Sequence, residues 1–385
     1  MKRLISALVL LVPATFSCDA QSIKPRPPVF ESLRFSVGTG PVSVVVADVN
    51  KDGKPDIVAA NAGSNDITVL LNDGIGHFTQ SKGSPFPAGS SPNDVAIVDF
   101  NGDGNIDLAV PNHGTSYISV LLGDGTGRFG ARLQTDVQSR PHPHGIAVGD
   151  FNGDRKMDVA IESWGNNQVE ILFGKGDGHF QTPGVFFGVG QMPYERLRCG
   201  DVNADGVPDI ITTNFEGKSV SILLCDGKGG FTPSKGTPVA VPKSPFGVAV
   251  GDVNGDGNLD LSIAHYSGHA DDPGADGLSV LLGDGTGQFT LAAGSPFHTG
   301  KAPVGVAVGD VNGDSILDIA LANSLSNDVS VYLGGSTGFT QAPGSPFAVG
   351  NNPEGIALGD INGDGRTDIV TANYRDNDIT VLLSK

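Results

Sequence analysis

The sequence predicts an all-β fold, a seven-bladed β-propeller with four-stranded blades whose ring is closed by the N-terminal strand. Three observations carry that expectation. An aspartate-rich loop of nine residues recurs seven times along 385 residues, starting at Asp48, Asp99, Asp150, Asp201, Asp252, Asp310 and Asp360, with intervals of 51, 51, 51, 51, 58 and 50. Each interval holds four short apolar, β-rich runs broken by turn residues, and about fifty residues with four strands is the size of a propeller blade. The chain stops at Ile379-Thr-Val-Leu-Leu-Ser-Lys385, after a third run, while an extra run from Phe30 to Gly38 precedes the first loop and fits the missing fourth slot.

Each blade justifies its strands in the same order. A first run leads into the loop, as in Gly247-Val-Ala-Val-Gly-Asp252, and a second leaves it, as in Asp318-Ile-Ala-Leu-Ala-Asn323. A third follows, as in Ile118-Ser-Val-Leu-Leu-Gly123, and then a Gly-rich turn. The fourth segment starts at a Phe and ends near Ser-Pro-Phe and Gly, as from Phe289 to Gly300. A lone four-stranded sheet would expose its edges, and radial closure hides them.

Ahead of the ring lies a different kind of segment. Lys2 and Arg3 precede the apolar run Leu4 to Val12, then Pro13 and small residues up to Ala20. That order is a secretory signal, too short to span a bilayer. The domain reading is therefore residues 1–20 as signal peptide, 21–29 as a short linker and 30–385 as the propeller. Export to the periplasm, the cell surface or the medium follows, with cleavage after Ser17 or Ala20, or lipidation of Cys18 as the minor alternative. Cys199 and Cys225 fall on the first and third strands of one blade, too far apart for a disulfide, and read as small buried residues.

The loops carry the chemistry. Position 1 is Asp in every copy, position 3 is Asn50, Asn101, Asn152, Asn203, Asn254, Asn312 and Asn362, and position 5 is Asp52, Asp103, Asp154, Asp205, Asp256, Asp314 and Asp364. Position 9 is Asp56, Asp107, Asp158, Asp209, Asp260, Asp318 and Asp368. Three carboxylates within nine residues repel one another unless a hard cation sits among them. Position 7 can add a carbonyl, from Lys54, Asn105, Lys156, Val207, Asn258, Ile316 and Arg366. All-oxygen donors on a flexible loop favour Ca²⁺, in about seven structural sites, and the absence of Cys and His from the motif argues against zinc. Position 6 must turn sharply. Gly53, Gly104, Gly206, Gly257 and Gly365 suit it, whereas Arg155 and Ser315 predict weaker third and sixth sites.

The same loops explain the acidity. Asp and Glu number 42 against 24 Lys and Arg, and the loops hold half of the 42. Loss of residues 1–20 shifts the formal charge from −18 to −19, and seven Ca²⁺ would bring it to −5. Nucleic acid is thus an unlikely partner, since −18 repels a phosphate backbone.

The loop and blade pattern over residues 30–385 resembles the FG-GAP/VCBS repeat family, which includes the calcium-bearing propeller of integrin α subunits and some fungal lectins. The resemblance implies calcium ligation at positions 1, 3, 5, 7 and 9 of each copy. It implies adhesion, lectin or polysaccharide-lyase activity only as a range, because fold does not fix function.

Strand order puts a binding surface on the face opposite the loops. Six residues after each final Asp stand Ala62, His113, Trp164, Phe215, Tyr266, Ser324 and Tyr374. These aromatics either plug the blade boundaries or offer stacking platforms to sugars or a partner protein. Blade four departs from its siblings: it opens with Pro193-Tyr-Glu-Arg-Leu-Arg-Cys-Gly-Asp201, one residue longer, with Arg196 where the others carry Gly or Ser and once Asp, and Arg198 where they carry Ala or Val. Together with Trp164, His144, Tyr194, Glu195 and Phe215 they form a candidate pocket for a sugar or an anion. The competing reading is a salt bridge from Glu195 to one of the arginines. In blade five, His265, His269, Asp271, Asp272 and Asp276 suggest either a second metal site or a solvated loop. No catalytic motif is present. The expected role is a non-enzymatic, monomeric binding or adhesion module for glycan or extracellular protein, with a lyase using Tyr194, Arg196, Arg198 and His144 as the alternative.

Overall fold

In the computed structural model, residues 27–136, 142–163, 165–266 and 276–385 are described, with the backbone alone at 131 and 195. Seven small antiparallel sheets are arranged as a ring, and the described residues contain no helix. The inner strands are Pro41–Ala47, Ala96–Val98, Pro143–Gly149, Pro193–Gly200, Pro245–Gly251, Pro303–Gly309 and Pro353–Gly359. The expected closure is present: Phe30–Ser36 lies antiparallel to Asp378–Ser384, in register from Phe30 against Ser384 to Ser36 against Asp378. Arg34 pins that seam with ion pairs to Asp376 and to Asp378, the latter at 2.6 Å.

The packing explains why second and third strands read as continuous apolar runs. A blade sandwiched between two others buries both faces, so alternate residues serve opposite neighbours. Val58 and Ala60 join the cluster shared with blade two, whereas Ile57 and Ala59 join the cluster shared with blade seven. Seven such clusters fill the seven boundaries. Each buried Val, Leu or Ile contributes about 1.5–3 kcal/mol.

Near the axis the inner strands crowd one another. A Cβ on Gly247, Gly305 or Gly355 would lie 2.4, 2.4 or 2.8 Å from the backbone of the next inner strand. The corresponding residues of the other blades are Ser43, Asp94, Gly145 and Arg196. Cys199 and Cys225 are both free thiols, on the first and third strands of blade four as expected.

Candidate functional site

The loops fold identically. The position-1 carboxylate accepts the position-6 amide at 2.8 Å in all seven copies, for example Gly53 to Asp48 and Arg155 to Asp150. Asn50 Oδ1 accepts the Asp52 amide at 2.9 Å, and Asp52 Oδ1 accepts that of Lys54 at 3.0 Å. The donor oxygens of positions 1, 3 and 5 therefore curl over one turn, each held through one lone pair.

Position 6 is left-handed throughout, including Arg155 at φ 67° and Ser315 at φ 70°. So is position 4, where Gly stands in five copies but Lys51 (φ 62°) and Ala204 (φ 60°) in the other two. Backbone strain thus falls on four loops, the first and fourth as well as the third and sixth. A run of Gly at position 4 was the available signal.

The position-9 aspartate is buried, and its two oxygens do different work. Asp56 Oδ2 accepts the amide of Val49 at 3.1 Å, and Oδ1 accepts that of Asn72, at the end of the third strand, at 2.9 Å. This staple repeats in every blade, as in Phe151 and Gly174 on Asp158. Burial, reinforced by the loop's other aspartates, pushes Asp158, Asp209 and Asp318 up to about 7 and Asp56, Asp260 and Asp368 up to about 6, and raises Asp107 too. Among the described residues no three acidic or imidazole groups already close on one point. The loop is a preformed turn rather than a finished cage. Its donors nevertheless suit a hard divalent ion: all are oxygen, three are carboxylates, and one is buried at a cost that positive charge would relieve.

Position 2 of the loop is apolar in all seven copies. Val49, Phe100, Phe151, Val202, Val253, Val311 and Ile361 are all buried. Their carbonyls also latch the next blade, for the amides of Gly229, Gly287 and Gly335 donate to Phe151, Val202 and Val253 at 2.9, 2.9 and 3.1 Å.

On the opposite face the aromatic residues form one arc across blades two to five. Ring centroids run from His142 to His113 (4.8 Å), His144 (4.3 Å) and Tyr194 (4.8 Å). From Tyr194 they continue to Phe246 (5.4 Å) and Tyr266 (5.2 Å), with Phe215 at 5.9 Å from Tyr194. His113 Nδ1 lies 2.8 Å from His144 Nε2. All are half-buried except His144, which is buried. His113, His144, Tyr194, Phe215 and Tyr266 were named from the sequence; Phe246 and His142 were missed, because only ring closure brings separate blades together. Tyr374 stands apart from the arc, 40% exposed, over Gly40. Trp164 lies outside the described residues, as does the side chain of Glu195.

Both expected arginines line the central channel, a cavity of about 480 Å³. Arg198 pairs with Asp94 of blade two, whose Oδ2 lies 3.3 Å from Nη1; the expected salt bridge from Glu195 falls outside the described residues. Arg196 reaches the Val42 carbonyl at 3.5 Å. In blade five, His265 sits inside the second strand, buried, with Nε2 2.7 Å from Ser279 Oγ. It occupies the slot that Asn61, Asn112, Asn214, Asn323 and Asn373 fill elsewhere. It is therefore a structural residue; His269, Asp271 and Asp272 lie outside the described residues. Blade three varies the same slot differently, with Ser163 in it and Glu170 at the position where the other blades carry Ser or Thr.

The FG-GAP-like repeat matches residues 48–110, 99–161, 201–263, 268–321 and 310–371. This chain belongs to the FG-GAP repeat family. Over 135 residues the FG-GAP chain is 30% identical to a T-cell immunomodulatory protein homolog of Plasmodium falciparum, a stretch that is 30% of this chain and 18% of that protein's length. Among solved structures it resembles BBS1N in complex with ARL6DN (TM-score 0.61, 11% identity, 94% and 98% of the two chains). It also resembles a catalytically inactive virginiamycin B lyase from Staphylococcus aureus with quinupristin (0.57, 16%, 92% and 99%). A third is an Agrocybe aegerita lectin that recognises non-reducing terminal N-acetylglucosamine (0.53, 17%, 90% and 87%). At such identities these likenesses speak to the propeller fold alone. Residues 162–200, between two matched stretches, carry Trp164, Tyr194 and both channel arginines.

Proposed function

We propose that this FG-GAP propeller is an exported, calcium-stabilised binding module that takes carbohydrate on the aromatic arc. The observation that carries the reading is the arc itself: six half-buried rings and the buried His144, drawn from four blades, form one contiguous aromatic run. Half-exposed aromatic faces stack on the apolar faces of sugar rings, while the histidine nitrogens and Tyr194 hydroxyl can meet their hydroxyls. Calcium in this proposal is structural, held by positions 1, 3, 5, 7 and 9 of each loop, and lies on the other face from the ligand. A protein ligand is the competing partner, since aromatic clusters also anchor protein interfaces.

A glycan-array assay with calcium and with chelator tests the reading, repeated with Tyr194→Ala and Phe246→Ala. Binding to a narrow glycan class that both variants abolish, without a change in melting, supports it. Glycan binding untouched by both variants, or none at all, overturns it. A lyase reading has His144 and Tyr194 in contact as candidate proton-transfer groups, and cleavage products in the same samples would favour it.

A further inference from the structure

We propose that the central channel is a carboxylate site, in which Arg198 reads the acidic group of a small, ring-sized ligand such as a uronic acid; in its sugar part this rests on the carbohydrate reading above. Inner strands keep small residues at this position, Val45, Ala96, Ala147, Ala249, Ala307 and Ala357, and Arg198 alone is charged. Its Nη1 is spent on Asp94 Oδ2 at 3.3 Å and on the Leu197 carbonyl at 2.9 Å. Its Nη2 and Nε have no protein partner among the described residues, and the side chain is 36% exposed.

Asp94 fixes the guanidinium in that attitude. It is 3% exposed, and its Oδ1 accepts from Ser43 Oγ at 2.9 Å and from the Val95 amide at 3.0 Å. One edge of the planar fork is thus tied down and the other is presented to the cavity. Valine, alanine and isoleucine side chains make most of the walls. In such surroundings water competes poorly, and a two-pronged guanidinium–carboxylate pair gains over a solvated one. The free Nε–Nη2 edge matches a planar monoanion. A doubly charged phosphate would meet the fixed charge of Asp94 beside it.

Calorimetric titration of the full, calcium-loaded chain tests this with glucuronate and galacturonate, glucose and galactose, acetate, and inorganic phosphate. The expected result is tenfold or greater preference for a uronate over its neutral hexose, with phosphate weaker than either acid. Arg198→Lys, which keeps the charge but loses the fork, should erase that preference and leave hexose binding alone. Asp94→Asn should tighten uronate binding several-fold, because it removes a like charge beside the bound carboxylate while the amide oxygen can still accept from Nη1. Both variants are checked for parental melting in calcium. Equal binding of acidic and neutral sugars overturns the carboxylate site and leaves the carbohydrate reading standing. Arg198-dependent binding of acetate without any sugar binding does the reverse. No binding of any probe, or uronate binding that survives Arg198→Lys, overturns the proposal.

Discussion

The amide of Gly229, in the turn after the third strand of blade four, donates to the carbonyl of Phe151 in the loop of blade three at 2.9 Å. The same Phe151 gives its own amide to Asp158, the buried aspartate of its loop, and its ring to the boundary between the two blades. One residue therefore links a candidate calcium loop, the third strand of its own blade through Asp158, and the neighbouring blade. Loss of the ion should loosen more than the loop that held it.

Chelation should accordingly lower the melting temperature of the whole ring in a single transition. A site at a thousandfold excess of free calcium over its dissociation constant adds about 4 kcal/mol, so several sites together should shift melting by well over ten degrees. Differential scanning calorimetry with and without EGTA checks this. An unchanged melting temperature would remove calcium from the account.

Four loops should be improvable. Lys51→Gly, Arg155→Gly, Ala204→Gly and Ser315→Gly each relieve a left-handed residue, and should stabilise by about 0.5–1 kcal/mol after the entropy of a looser unfolded chain is subtracted. Gly53→Ala should cost about 1 kcal/mol although its Cβ would meet nothing within 4 Å, because the backbone alone is strained. Calcium titration should show these four sites weaker than the other three, and seven equivalent sites would contradict it.

His265 gives a pH dependence of known sign. Burial lowers its pKa from 6.5 to about 4. Between those values the unfolded chain binds the proton and the folded one refuses it, so stability is complete above pH 6.5 and declines as the pH falls towards 4. Relative to His265→Asn, which installs the residue of five other blades, the wild type should lose on the order of 2–3 kcal/mol between pH 7 and 4.5. Parallel denaturant titrations of the two proteins at both pH values supply the comparison; equal losses would show that His265 is not the titrating group.

Removing residues 30–36 should leave Asp378–Ser384 as a bare edge, along with the apolar faces of Leu33 and Phe35's neighbours in the last boundary. The truncated chain should associate, since unpaired strand edges pair with each other. Size-exclusion chromatography in calcium reads this directly, and a stable monomer would mean the seam is dispensable.

What the sequence made legible was whatever repeats. Seven loops set the number of blades, and the orphan run at Phe30 announced the closure. The left-handed backbone at position 6 followed from Gly at five of seven copies, and position 4 offered the same clue. Less legible was anything that depends on which blades become neighbours. Asp94 and Arg198 are 104 residues apart and meet only across the closed channel. His113, His144 and Tyr194 come from three different blades, and no spacing rule connects them. His265 misled because its flanking Gly and Asp residues suggested a loop, whereas its register on the strand makes it the counterpart of a buried Asn.

The seam also orders events in time. Arg34 and Asp376 are 342 positions apart, so the strand that completes the ring is made before the other strands of the ring and its partner after them. Throughout synthesis the opening segment waits while six blades accumulate behind it. Closure then acts as a measure of length: a product cut short before residue 378 has no place to put its first strand. Such a chain keeps two raw edges, and would be distinguishable, to any protease or chaperone that reads exposed strands, from one whose ring has closed.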